Sequence, residues 1–236
     1  MKPHSRKIIH VGINFLTIPA PLLNNQSSLM FQQAILSQGL EYIRAESLKN
    51  QITLTREEPS PLQISVGSPE PQFGQVLIVA PNPNCAFDLF VQEAEAAITA
   101  YESVWLSTNR QILKCDTTIR DLYETTSQHA FQELWERRLN QPSKSLSAFG
   151  RPIRGGGLRF VMDPLPNEQD PVQIEVKIES FLADTSKVFI ETQFVWMKPN
   201  NPGMPFNARE RLLQVNTFIE NQVNAFIAGE SIGVSQ

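Results

Sequence analysis

Hydrophobic and polar residues alternate strictly from Val172 to Glu179. Val172, Ile174, Val176 and Ile178 are apolar, and Gln173, Glu175, Lys177 and Glu179 are polar. A period of two puts one row of side chains in a core and the other in water, the mark of a half-buried strand. Asp184-Thr185-Ser186 turns the chain into a second strand over Lys187–Met197, dense in β-branched and aromatic residues. Pro199, Pro202, Gly203 and Pro205 then break the chain, and the period lengthens. Leu212, Val215, Ile219, Val223 and Phe226, widened by Phe218 and Ile227, share one face of a helix spanning 207–228. Asn207 and Glu210 are spaced as a capping box, each side chain satisfying the other's exposed backbone donor. Gly229 stands where a C-terminal cap is wanted.

The same reading over the rest of the chain predicts a strand at Ile8–Ile18, ended by Pro19 and Pro21, and a short helix at Ser27–Ser37 stopped by Gly39. Gln51–Arg56 and Leu62–Val66 are short strands, and 67–74, with two prolines and two glycines, is a loop. Gln75–Ala80 is apolar enough to be central in a sheet. Asn84 caps a long helix over 85–105, whose stripe is Phe87, Phe90, Val91, Ala94, Ile98, Tyr101 and Trp105. Gln111–Tyr123 reads as a strand despite Lys114, Asp116, Arg120 and Asp121, and Gln128–Leu139 as a helix. Asn140–Gly150 is a polar loop, and a strand over 158–163 follows Gly155-Gly156-Gly157.

In order, these elements repeat. Residues 1–108 and 109–236 each run strand, short helix, three strands, long helix, and the short helices share Phe31-Gln32 and Phe131-Gln132. Alternating strands need a partner layer, which the striped helices supply. The expected fold is α+β, with two similar halves of antiparallel strands and the helices packed on one face of the sheets. Whether the halves share one sheet or pack as two stays open.

Several stretches carry a resemblance. They are Val11-Gly12-Ile13-Asn14-Phe15 with its proline-rich exit, Val76-Leu77-Ile78-Val79-Ala80-Pro81-Asn82, the strand around Thr118-Ile119-Arg120, and the closing helix from Glu210 to Ile219. In these the chain is similar to a sporadically distributed family of uncharacterised bacterial proteins. Members of that family look like two fused halves, each distantly similar to the export chaperone SecB. The resemblance implies that fold and a taste for protein partners, and no known chemistry.

Composition narrows the classes. An apolar content of 41% and a charged content of 19% in 236 residues belong to a soluble globular protein. The net charge of −4 speaks against nucleic acid, whose phosphates want a basic surface. No apolar run reaches the roughly 18 residues a membrane span needs. Ile8–Leu23 is interrupted by His10, Asn14, Thr17, Pro19 and Pro21, which makes a poor signal peptide. Cys85 and Cys115 alone provide neither a disulfide framework nor a metal site, so the expected compartment is a reducing cytoplasm. No motif implies a cofactor.

Chemistry concentrates in Arg151-Pro152-Ile153-Arg154-Gly155-Gly156-Gly157-Leu158-Arg159. The glycines free the backbone to present N–H groups, and Arg151, Arg154 and Arg159 supply forked donors, so the segment is a candidate anion or partner contact. A strand follows the glycines, whereas a phosphate loop wants a helix there. Asp116 and His129 could serve as an acid–base pair if the fold brings them together. An ion pair of Asp116 with Arg120 on one strand face explains the carboxylate equally. His10 fits a satisfied strand residue, Cys115 a small buried apolar group, and Trp105, Trp135 and Trp196 the core. The expectation is a non-catalytic interaction protein, chaperone-like or regulatory, that engages a polypeptide or itself through sheet edges or an apolar groove. The alternative is an enzyme or sensor of a small anionic ligand held by 151–159.

Overall fold

The alternating segments assemble into one continuous sheet of nine strands in a computed structural model that describes residues 1–105 and 108–229. Its two longest strands, β1 (Lys7–Ile18) and β6 (Gln111–Glu124), lie side by side at the centre. From β1 the sheet continues through β5 (Phe73–Pro81), β4 (Leu62–Glu70), β3 (Gln51–Arg56) and β2 (Arg44–Leu48). From β6 it continues through β9 (Lys187–Trp196), β8 (Val172–Ser180) and β7 (Gly157–Met162). Every neighbouring pair is antiparallel. The strands of both expected halves therefore share one sheet. Residues 230–236, the end of the expected second half, lie outside the described residues.

Period-two burial explains the layering. Val11, Ile13 and Phe15 of β1, Ile119 and Tyr123 of β6, and Ile190 and Phe194 of β9 are buried on one face. Two long helices cover that face. Helix α1 (Asn25–Ser37) packs on α2 (Phe87–Trp105), whose Phe90, Val91, Ala94, Ile98 and Tyr101 are buried. A short α3 (Ala130–Gln132) opens a wider turn over Glu133–Arg138. Helix α4 (Ala208–Phe218) runs through another wide turn, Ile219–Val223, into α5 (Asn224–Ala228), which Gly229 ends at φ 83°. Leu212, Val215, Ile219, Val223 and Ile227 are buried along it. Each such side chain contributes about 1.5–3 kcal/mol by leaving water. Side chains on the other sheet face, His10, Asn14, Thr118 and Glu191 among them, are half-buried.

Several local expectations are corrected. β2 is an additional strand, exposed at all five residues and so without an alternation to read. The segment 67–74 is a hairpin, because β4 runs to Glu70, β5 starts at Phe73 and the ladder slips between Gly67 and Glu70. α2 begins at Phe87, too late for Asn84 to cap it, and the Asn84 N–H donates to Ser60 Oγ at 3.1 Å. The helix expected from Gln128 starts at Ala130. Ser143–Phe149 is a tight helical turn where a loop was expected. Asn207 Oδ1 accepts the Glu210 N–H at 3.1 Å, but the Glu210 carboxylate accepts from the Asn207 side-chain Nδ2 and not from its backbone N–H. The fully reciprocal box is on α1, between Asn24 and Ser27. Trp196 is buried, whereas Trp105 and Trp135 are only half so. Among the described residues no helix is long and apolar enough to cross a membrane.

Candidate functional site

β7 ends the sheet, and its pairing decides what it offers to solvent. The Ser180 N–H donates to the Gly156 carbonyl at 3.0 Å, and Gly157 stands opposite Glu179. Hydrogen-bonded pairs recur every second residue in an antiparallel ladder, so Leu158, Phe160 and Met162 bond to β8. Gly157, Arg159 and Val161 consequently turn their backbone N–H and C=O groups outward. By the same alternation Leu158, Phe160 and Met162 point to the helix side of the sheet, and Arg159 and Val161 to its open face.

Two apolar grooves flank this edge on the helix side. One, of about 500 Å³, lies between β7 and the last helices and is lined by Phe160, Met162, Val176, Phe218, Val223 and Phe226. The Phe160 and Phe226 rings meet edge to face at 5.4 Å, yet Phe160 is 38% and Phe226 39% exposed. The other, of about 290 Å³, sits where the chain enters β7, among Phe131, Trp135, Phe149, Ile153 and Leu158. Phe131 and Trp135 stack there at 6.0 Å, and Phe149 is 69% exposed. Large apolar side chains left this bare mark contact surfaces when they cluster.

The glycines make the entry possible. A Cβ on Gly156 would lie 2.7 Å from the Phe131 ring, and one on Gly157 2.3 Å from the Ile178 carbonyl oxygen. The Gly156 N–H donates to Ser180 Oγ at 3.0 Å, and none of Gly155, Gly156 and Gly157 takes a positive φ. Their part here is close packing of the chain on β8 and on the aromatic groove. Arg151 and Arg154 are exposed just upstream and make no ion pair among the described residues. Arg159 is engaged, its Nε and Nη2 donating to Glu175 at 2.9 and 2.7 Å. That pair starts a row of charges across the open face. Lys177 bridges Glu175 at 3.2 Å and Glu191 at 2.6 Å, and Arg120 reaches Glu191 at 2.6 Å. Arg159 holds the Glu175 carboxyl below its ordinary range. Burial pushes Glu191 up, but Lys177 and Arg120 together outweigh it and bring it down.

Asp116 and His129 are not brought together. Asp116 lies within β6, accepting from Asn14 Nδ2 at 2.9 Å, eight residues before that strand ends. At about 3.3 Å per residue the strand's end is roughly 26 Å away. His129 lies beyond it as the cap of α3, its Nδ1 accepting the Phe131 N–H at 3.1 Å. Asp116 and Arg120 share a face, but they lie four positions apart along the strand, roughly 13 Å, and each has another partner. Burial, seconded by Arg120, pushes the half-buried His10 down to about 4, which leaves it neutral near pH 7. Burial pushes the Cys115 thiol up, away from reactivity. Among the described residues no three His, Cys, Asp or Glu side chains converge as metal ligands would.

Two features escaped the sequence reading. Phe160, Val161 and Met162 lie within the strand expected over 158–163, and the sign of their exposure is an apolar run between Gly157 and Asp163-Pro164 with no alternation on its far side. Asp121, on the buried face of β6, receives Arg6 Nε at 2.9 Å, and Arg6 also donates to Asn216 Oδ1 at 2.8 Å. Its second carboxylate oxygen has no partner among the described residues, and burial, only partly offset by Arg6, pushes Asp121 up to about 6. No known family model matches this chain, and no curated protein matches it.

Proposed function

We propose that this is a non-catalytic binding protein that takes an extended segment of another polypeptide as a further strand along β7. The observation that carries the reading is an apolar strand edge left uncovered beside an apolar groove. The outward groups of Gly157, Arg159 and Val161 supply main-chain bonds, and the groove receives alternate side chains, the two components of recognition by strand addition. Proteins ordinarily blunt such an edge with charge, proline or a covering loop. Here the one charge on the strand, Arg159, is tied to Glu175, and Phe160 and Val161, 38% and 53% exposed, stand beside it.

The strand order supports a wider proposal. Outward from the centre, β1-β5-β4-β3 and β6-β9-β8-β7 follow the same sequence of connections, with a short helix after the first strand and a long one after the last. That correspondence favours an internal duplication, with two fused halves each similar to SecB. A chaperone-like or regulatory role in a bacterial cytoplasm fits the edge, and the two free cysteines suit that compartment. Binding of a fluorescent, reduced and alkylated unfolded polypeptide, followed by anisotropy, tests the activity. Val161→Pro removes one outward N–H while leaving the bonds to β8, since edge positions tolerate proline. The expected result is saturable binding by the wild type and at least about a tenfold weakening in the variant at unchanged melting temperature. No binding by the wild type, or full binding by the folded variant, refutes it.

A further inference from the structure

The chemistry around β7 specifies what kind of segment it accepts, on the reading that the edge adds a strand. Between Phe131 and Met162 the chain carries six Lys or Arg and two Asp or Glu, although the whole chain has 20 against 24. One of the two acids, Glu133, is buried. Lys144, Arg151 and Arg154 are exposed and make no ion pair among the described residues. Asp163 follows at the far end of β7, and Glu175 and Glu179 sit one strand inward, Glu175 held by Arg159 and Lys177 and Glu179 sharing a cavity lining with Arg154. A local excess of unpaired cations thus borders the entry end of an apolar edge in an otherwise acidic protein.

An added strand presents its residues alternately to two surroundings. Residues facing the helix side fall first over the Phe131–Phe149 groove and then over the Phe160–Phe226 groove, so they are apolar. Beyond Gly157 the segment runs past Arg154 and Arg151, where a carboxylate finds a free forked donor and a second cation meets repulsion. We infer that β7 selects an extended segment with large apolar side chains at every second position and an acidic flank on the side that passes Arg151 and Arg154.

The test uses the full chain and two peptides with one alternating apolar core, one flanked at both ends by Glu and the other by Lys. At about 50 mM salt the Glu-flanked peptide binds about tenfold tighter, as two or three partly exposed ion pairs provide, and the gap closes near 0.5 M salt. Arg151→Glu/Arg154→Glu, both exposed and unpaired, reverses the preference with an unchanged melting temperature. Equal affinity for the two peptides, or preference for the Lys flank, overturns the inference while Val161→Pro sensitivity keeps strand addition standing. Failure of both peptides to bind counts against strand addition itself. An oligonucleotide that displaces the Glu-flanked peptide at equal charge would reassign the arginines to phosphate. A dimer in sedimentation that the peptide does not dissociate would make a second copy the occupant. Either of these also overturns the inference.

Discussion

Asp121→Asn isolates the electrostatics of a carboxylate kept wholly out of water. Asp121 is 0% exposed, with Arg6 on one oxygen and Tyr123 on the same strand, and its pKa stands at about 6 against an ordinary 3.8. A raised folded-state pKa means that the folded protein takes up a proton before the unfolded chain does. The stabilisation is therefore complete below 3.8 and lost as pH rises through 6. Between pH 7.5 and pH 5 the wild type gains about 1 kcal/mol from this group, roughly one pKa unit's worth. His10 works in the opposite direction. Its folded pKa of about 4 lies below the ordinary 6.5, so its share is present above 6.5 and shrinks as pH falls. Partial exposure of His10 trims that share, but the wild-type curve alone still mixes the two. The variant removes only the Asp121 part, and Arg6 keeps its bond to Asn216 Oδ1 at 2.8 Å. Urea denaturation of both proteins at half-unit pH steps should show the variant losing about 1 kcal/mol relative to wild type on going from pH 7.5 to pH 5. A difference that stays constant, or that shrinks toward acid, would falsify this account of the buried pair.

Two further outcomes follow from packing. Gly157→Ala must displace the Ile178 carbonyl oxygen, 2.3 Å from the added Cβ, so β7 should peel from β8 at a cost of about 1–3 kcal/mol. Amide exchange will show β7 unprotected while β1 and β6 stay closed, and global unfolding with no selective loss in β7 contradicts the local nature of the clash. Thiol titration should find Cys85, half-buried, reacting in the native protein and Cys115, 3% exposed, only in denaturant. Native reaction of Cys115 would show that the sheet opens there.

Elements were legible where one face alone is covered. Ile174, Val176 and Ile178 alternate with charges because they face the helix side of β8, while Glu175 and Lys177 on its other face are only half-buried. Arg44-Ala45-Glu46-Ser47-Leu48 has no such contrast, being exposed throughout, so β2 carries no periodic signal. Pro69 and Pro71 read as a loop, yet an extended hairpin tip accommodates them just as well. The arginine-glycine cluster was visible as composition, and its order along the chain placed it correctly before a strand. Its partners were not visible, because Arg159 meets Glu175 through the register of β7 on β8, a pairing set by the whole sheet. Asp121 shows the same limit. Its burial follows from sitting on the face that carries Ile119 and Tyr123, whereas Asp116 and Arg120, on the opposite face, remain partly wet. That β7 is an edge at all depends on strand order, which no local pattern encodes.

The strand without a counterpart, β2, gives the sheet two unlike ends. One end shows an ion-paired Arg44 and Glu46 on a short exposed strand, and the other shows Phe160, Val161 and outward amides. Fibrous growth needs a unit that both receives a strand and offers a matching one, repeating head to tail. If β7 receives a guest strand as proposed, the two ends of the sheet do not do so alike, because β2 presents Arg44 and Glu46 where β7 presents Phe160 and Val161.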